Sequence, residues 1–455
     1  KAYKMVGIVM FLAALFMLII GFPVAFTFGA IAVFFGAIYA FVQAFEDNST
    51  EIFADAFSNM IDLFSFMPYR IFNIMENKIL ISVPLFILMG MILQKTRLAE
   101  RLLESMAFLF GGIRGGVAIS TVLVGALLAA TTGIVGASVI AMGAISLPVM
   151  IKYHYNKPLG CGTIAASGTL GQIIPPSIVL IVLGDVFGVP VGDLFKAAIV
   201  PGLTLVLFYV VFIAIVAFVK KDYAPCVKFD TTDSKAHQIF NALKNVIPVL
   251  VLILLVLGSI FTGFATPTES SAVGCLGAVI LALLFRTFSW KLIYKSLQES
   301  VKISSMVFAI LIGATAFSMI FSYTGADTIV EDFMMSLPGQ KWGFIALTMV
   351  SILILGFFID YVEISYIILP ILIPISQNLG IDPVWFAILI AVNLQTSFMT
   401  PPFGFSLFFL KGVTPPSVRT IDIYKGVLPF IILQILVLLL LAVYPEIFGM
   451  SAFLS

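Results

Sequence analysis

Of 455 residues, 61% are hydrophobic and only 10% are charged, with a mean hydropathy of +1.17. A soluble domain carries about 25% charged residues, and a water-soluble core of this size does not bury so much apolar surface, so the composition excludes a soluble globular chain and makes lipid the solvent. The balance of 24 Lys+Arg against 23 Asp+Glu, net +1, lacks the basic footprint of a nucleic-acid-binding protein.

A helix needs about 20 apolar residues to cross the hydrocarbon core. The first such run, 5–21, follows Lys1–Lys4 and continues through Gly21-Phe22-Pro23 into a second, 24–43, with no small-residue cleavage site. It reads as a membrane helix and not as a cleaved signal peptide. Gln43–Lys78 differs: Glu46, Asp47, Glu51, Asp55, Asp62, Arg70 and Glu76 interleave with Phe and Met, and Phe53, Phe57, Ile61 and Phe64 recur at helical spacing. That pattern predicts amphipathic helices lying on the membrane surface.

Further full-length runs follow at 78–94, 117–137, 198–219, 244–262, 270–285, 303–322 and 427–448. The stretches 138–151, 163–184, 343–359, 362–376 and 384–410 are apolar but broken by Gly, Pro, Ser, Thr or Asn. Such breaks are tolerated at membrane depth only against protein or a wet cavity, so they point to a site. The polar linker 220–240 carries Lys220, Lys221, Lys228 and Lys235, and a second basic cluster holds Arg286, Lys291, Lys295 and Lys302. Both are expected in cytoplasmic loops. Trp290, Trp342 and Trp385 flank apolar segments and read as interface anchors, and His154 reads as a loop residue. Cys161, Cys226 and Cys275, with His154 and His237, show neither a disulfide framework nor metal-ligand spacing. No phosphate loop, zinc-protease motif or nucleophile elbow occurs.

The chain also repeats itself. Pro148, Ser167 and Pro175-Pro176 recur 226 positions later as Pro374, Asn393 and Pro401-Pro402. Downstream, Asp193-Leu194-Phe195-Lys196 and Pro201 correspond to Asp422-Ile423-Tyr424-Lys425 and Pro429, with the offset drifting to 229 and 228. Matching broken helices in two halves mark a transporter's binding site. The chain therefore divides into N-terminal scaffold helices with the amphipathic connection (1–77), a first repeat (78–219), a linker with scaffold helices (220–302) and a second repeat (303–455).

Two successive prolines end a helix inside the membrane. The break releases carbonyls, which with hydroxyls suit a hard cation such as sodium, and opens a half-helix N-terminus that suits a carboxylate. Ser167, Gly168, Gly171 and Gln172 line the first break; Asn393, Gln395, Thr396, Ser397 and Thr400 line the second. Thr131–Ser138 fits the tip of a re-entrant hairpin, and Gly356–Ser365 occupies the matching place with Asp360 and Glu363 in an apolar setting. An acid there is a functional-site hypothesis by default. Any single Ser or Thr is more often bonded to its own helix.

The chain resembles the large membrane subunit of tripartite ATP-independent periplasmic (TRAP) transporters. The resemblance rests on Gly21–Phe26, Val83–Gly90, Gly168–Ser177, Ala265–Val273, Val392-Asn393-Leu394 and Met399–Pro402, in the family's order across nearly the whole chain. It implies an all-α polytopic protein of the bacterial inner membrane, with two inverted repeats, re-entrant hairpins and broken helices, working as an elevator. It further implies sodium-coupled import of a small organic acid, with a small membrane subunit and a periplasmic substrate-binding protein as partners. On that reading Ser138, Ser167, Gly168 and Gly171 form one sodium site, and Asp360, Asn393, Thr396 and Thr400 the other. Substrate lies between the hairpin tips, near Thr132, Gly136, Gln172, Pro175, Glu363, Gln395 and Pro401. Two departures stand out: 43–78 is longer than the family's usual connection, and Asp360-Tyr361-Val362-Glu363 replaces its Asp-Pro-Thr. The rival readings are a stand-alone ion-coupled carboxylate symporter or antiporter, and an intramembrane aspartyl protease using Asp360 and Glu363.

Overall fold

In a computed structural model, residues 2–47, 51–227 and 234–453 are described; Lys1 and the linker's Lys228 lie outside them. Among the described residues there is no β-strand, and nine helices are long and apolar enough to cross a membrane. The fold is an all-α, multi-pass membrane protein. It folds as two compact units, each assembled from two separate stretches of chain: residues 1–80 with 302–383, and residues 81–301 with 384–455.

The first unit is built on Ala2–Ile20, Val24–Glu46 and the later part of the long helix Trp290–Tyr323. Phe28 meets the edge of Phe317 at 5.0 Å, and Phe317 stacks on Phe321 at 6.2 Å. Gly313 permits this approach, because a Cβ there would lie 2.6 Å from the Ala25 carbonyl oxygen. The predicted amphipathic stretch forms Ile52–Phe64 and Met67–Glu76. In the first of these Ala56 and Leu63 are buried, whereas Phe53, Phe57 and Ile61 are exposed. The unit also holds a hairpin, Lys341–Leu355 followed by Tyr361–Glu363, a π-helical turn Ile364–Ile368 and Leu369–Asn378.

The second unit contains the other hairpin, Gly116–Thr132 and Val135–Lys152, and two broken helices. Lys157–Thr169 runs through a 3-10 turn, Leu170–Gln172, and stops before Ile178–Phe187. Pro383–Met399 stops before Phe405–Val413. A long helix follows each break, Val191–Val219 and Thr420–Val443, and each carries an internal proline, Pro201 or Pro429. Lys157–Thr169 and Thr420–Val443 cross almost backbone to backbone. A Cβ on Gly162 would overlap the Gly426 carbonyl, and one on Gly426 would overlap the Pro158 carbonyl.

Four expectations change. The stretch 138–151 is not broken: it lies within the continuous helix Val135–Lys152, with Pro148 inside it. The 117–137 run ends as a helix at Thr132, where Gly133 adopts φ +60°, a left-handed conformation that costs a glycine nothing. Trp385 is no interface anchor: it is 2% exposed and donates its ring N–H to the Leu441 carbonyl at 2.9 Å. Lys291, Lys295 and Lys302 sit on a helix and not in a loop, because Trp290–Tyr323 extends well ahead of its apolar part.

Candidate functional site

The tip of the first hairpin is held by hydroxyls. Thr131 and Thr132 both donate to the Leu128 carbonyl at 2.9 Å, so the hydrogen in the 2.9 Å Thr132–Ser138 contact comes from Ser138. Gly90 lets its helix rest on this tip, where a Cβ would lie 2.8 Å from both Cα and O of Thr132. The second arm packs on the first broken helix with Val139 filling the space beside Gly168, and Gly125 leaves room for the Ser167 side chain. Gly136 faces the Phe409 ring, 2.9 Å from where its Cβ would be. Gly168 thus meets the second arm at Val139, next in sequence to Ser138, and Ser167 meets the first arm at Gly125, while Gly171 only meets Ala129 at an ordinary 3.5 Å.

At the first break the serine ahead of the second half-helix reaches back. Ser177 Oγ donates to the Gln172 carbonyl at 2.8 Å. At the second break Ser406 Oγ donates to the Phe398 carbonyl, also at 2.8 Å. One carbonyl freed by each interruption is therefore already bonded to protein. The bond joining the prolines is cis in both breaks.

The side chains differ. Gln172 is fully buried, and neither its Nε2 nor its Oε1 finds a hydrogen-bond partner in the protein. A buried amide without partners costs about 1–3 kcal/mol, which is the signature of a group reserved for a ligand or ordered water. Gln395 is also fully buried; its Nε2 lies 3.4 Å from Thr169 Oγ1, and its Oε1 has no partner. Thr396 donates to the Val392 carbonyl at 3.0 Å and Thr400 to the Thr396 carbonyl at 2.8 Å. Each hydroxyl proton is used within the helix, which leaves oxygen lone pairs for a cation. Asn393 is buried, Pro175 is buried and Pro401 half-buried.

Asp360 and Glu363 belong to the other unit. Asp360 caps the short helix after the tip, its Oδ1 accepting from the Tyr361 N–H at 2.7 Å. Glu363 is 3% exposed and its Oε2 has no hydrogen-bond partner. The π-helical turn begins directly after it, a local widening frequent at functional sites. The sodium set that joins Asp360 to Asn393, Thr396 and Thr400 thus draws on two units, as does the substrate set that joins Glu363 to Gln172 and Gln395. Thr348 and Ser365, on the two arms of this hairpin, also carry buried unpartnered hydroxyls. The sequence flagged neither as a ligand; Thr348 is one hydroxyl in an apolar run, indistinguishable there from one bonded to its own helix.

Residues 9–447 match the family described as Tripartite ATP-independent periplasmic transporter, DctM component. The C4-dicarboxylate TRAP transporter large permease protein DctM of Pseudomonas aeruginosa is 33% identical over 381 residues, covering 83% of this chain and 87% of that protein. The sialic acid TRAP transporter large permease protein SiaM of Vibrio cholerae is 27% identical over 375 residues, covering 82% and 85%. The crystal structure of the Alcanivorax borkumensis YdaH transporter superposes with a TM-score of 0.60 over 86% of this chain and 89% of that one, at 15% identity, a likeness of fold alone.

Proposed function

Because the chain belongs to the DctM family of TRAP transporter large permeases, we propose that it imports a small organic acid across the bacterial inner membrane, driven by sodium, together with a small membrane subunit and a periplasmic substrate-binding protein. It is a transport subunit and not an enzyme, and the protease reading of Asp360 and Glu363 falls with that. The carboxylate-bearing relatives carry C4-dicarboxylates and sialic acid by name, and this chain's cargo is of the same chemical class.

The observation that carries the reading is Gln172, a buried amide at a proline break with no protein partner. Its N–H groups suit a carboxylate oxygen, and Gln395 offers a second amide. Near them Ser138, Ser167 and the backbone of Gly168 and Gly171 supply oxygens for one sodium ion. Thr396 and Thr400, with Asn393, supply oxygens for another, and Asp360, on the other unit's hairpin, offers a carboxylate to sodium.

Thr169 and Gln395 touch and stand 226 positions apart, the interval of the repeat. Equivalent positions meet near a local two-fold axis, which supports two structural repeats related by such an axis, and we read them as inverted. An elevator motion, in which one part of the protein carries this site past a fixed scaffold, is the transport step that fits.

The test is sodium-driven uptake in proteoliposomes containing the small subunit, with the binding protein supplied. Asp360→Ala should weaken sodium activation by roughly tenfold, the scale of a lost hydrogen bond to a charged group; an unaltered sodium dependence removes Asp360 from the ion site. Full uptake without any binding protein would favour the stand-alone carrier.

A further inference from the structure

A cavity of about 930 Å³ lies in the second unit, apart from the hairpin and the breaks. Its polar wall is formed by Arg101 and Glu104 on the helix Leu98–Phe110, Lys244 and Asn245 on Lys235–Phe261, and Arg286 just past Pro267–Leu284. Three cations thus face one carboxylate among these lining groups.

The wall is built, not incidental. Arg101 Nη2 donates to the Phe285 carbonyl at 3.0 Å, and its guanidinium lies 5.3 Å from the centre of the Phe285 ring. That bond occupies a carbonyl at the C-terminus of Pro267–Leu284, where an anion would otherwise be repelled. Asn245 Nδ2 donates to Ser105 Oγ at 2.6 Å, and Ser105 Oγ to the Arg101 carbonyl at 2.7 Å, which fixes two of the three helices together. Among the described residues neither Lys244 nor Arg286 has an acidic partner, so two exposed cations remain free to meet an anion.

The position says where the anion comes from. Lys235–Phe261 and Pro267–Leu284 are both candidate membrane spans, and the cavity lies at the N-terminal part of one and the C-terminal end of the other. Leu284 and Phe108 border it and are exposed, and Leu254, Leu255, Leu276 and Ile280 continue an exposed apolar surface along the same two helices. A phosphate ringed by cations, with apolar surface leading away from it, matches a lipid at the headgroup level. We propose that this cavity binds the phosphate of an anionic phospholipid, with Lys244 and Arg286 as its principal ligands and Arg101 holding the wall.

The full-length chain, purified in neutral detergent, is titrated with phosphatidylglycerol, phosphatidylcholine or inorganic phosphate, and binding is read by native mass spectrometry and by the shift in melting temperature. Phosphatidylglycerol should bind more tightly than phosphatidylcholine. Each cation contributes roughly fivefold, so Lys244→Gln with Arg286→Gln should weaken phosphatidylglycerol by about 30-fold. Lys302→Gln, which removes an exposed cation that does not line the cavity, should leave it unchanged. Glu104→Gln should tighten binding, a change of sign that a merely structural role would not give. The proposal is overturned if the double variant retains the parent's affinity, if the two lipids bind alike, or if inorganic phosphate alone reproduces the shift, which would make this a site for a soluble anion.

Discussion

The two proline breaks share a backbone device and diverge in chemistry. In each, a serine of the returning half-helix clasps a carbonyl near the end of the first half, Gln172 at one break and Phe398 at the other. Those two clasped residues stand 226 positions apart. One carries a buried amide with no partner; the other carries an apolar ring, packed 5.2 Å from Phe405. The surroundings diverge as well: Pro175 and Pro176 are buried, whereas Pro402 and Phe403 are exposed. A backbone geometry is thus kept in both halves while the side chain at the clasped position differs, an unpartnered amide in the first and an apolar ring in the second.

The largest effect expected of that contrast is functional. Gln172→Leu should cut uptake by roughly tenfold or more, while the protein melts at the same temperature or higher, because an unpaired buried amide has been replaced by an apolar group. Phe398→Leu should leave uptake near the parent level. Equal losses at the two positions, in the same proteoliposome assay, would erase the asymmetry. A loss of stability for Gln172→Leu would mean that the amide has a structural partner after all.

A smaller effect concerns what the breaks are mounted on. Gly162→Ala should destabilise the protein by about 1–3 kcal/mol, since the new methyl meets a backbone carbonyl that can yield only if the helix moves. Thermal denaturation in detergent reads this, and Gly171→Ala, with ordinary contact distances around it, should cost far less. The smallest effect tests the shared device. Ser177→Ala and Ser406→Ala should each lower stability by about 1 kcal/mol, the value of one hydrogen bond. A clear difference between them would show that the two clasps are not equivalent.

Much of this architecture is legible in the sequence, because membrane helices announce themselves by apolar length and their interruptions by paired prolines. The breaks at 173–177 and 400–404 fall inside the apolar stretches expected to be broken. What stayed hidden depends on tertiary neighbours. Trp385 has the flanking position of an interface anchor, and only the Leu441 carbonyl across the packing explains its burial. The end of the first hairpin arm at Thr132 is decided by the left-handed Gly133, and the sequence there offers several glycines that could equally have turned the chain. The amides were readable as polar lining, but a sequence cannot say whether Gln172 finds a protein partner. The basic wall around Lys244 and Arg286 draws on helices more than 100 residues apart from Arg101 in the chain, so no local pattern reveals it.

The glycine crossing has a mechanical consequence. Where two backbones touch without intervening side chains, sliding one along the other would drive carbonyls into the next residue's Cβ, so the junction of Gly162 with Gly426 is locked in register. Lys157–Thr169 leads into the first interruption and Thr420–Val443 leads out of the half that contains the second. Any rearrangement during a transport cycle must therefore carry these two segments as a single stiff piece, and flexing has to be sought elsewhere in the chain.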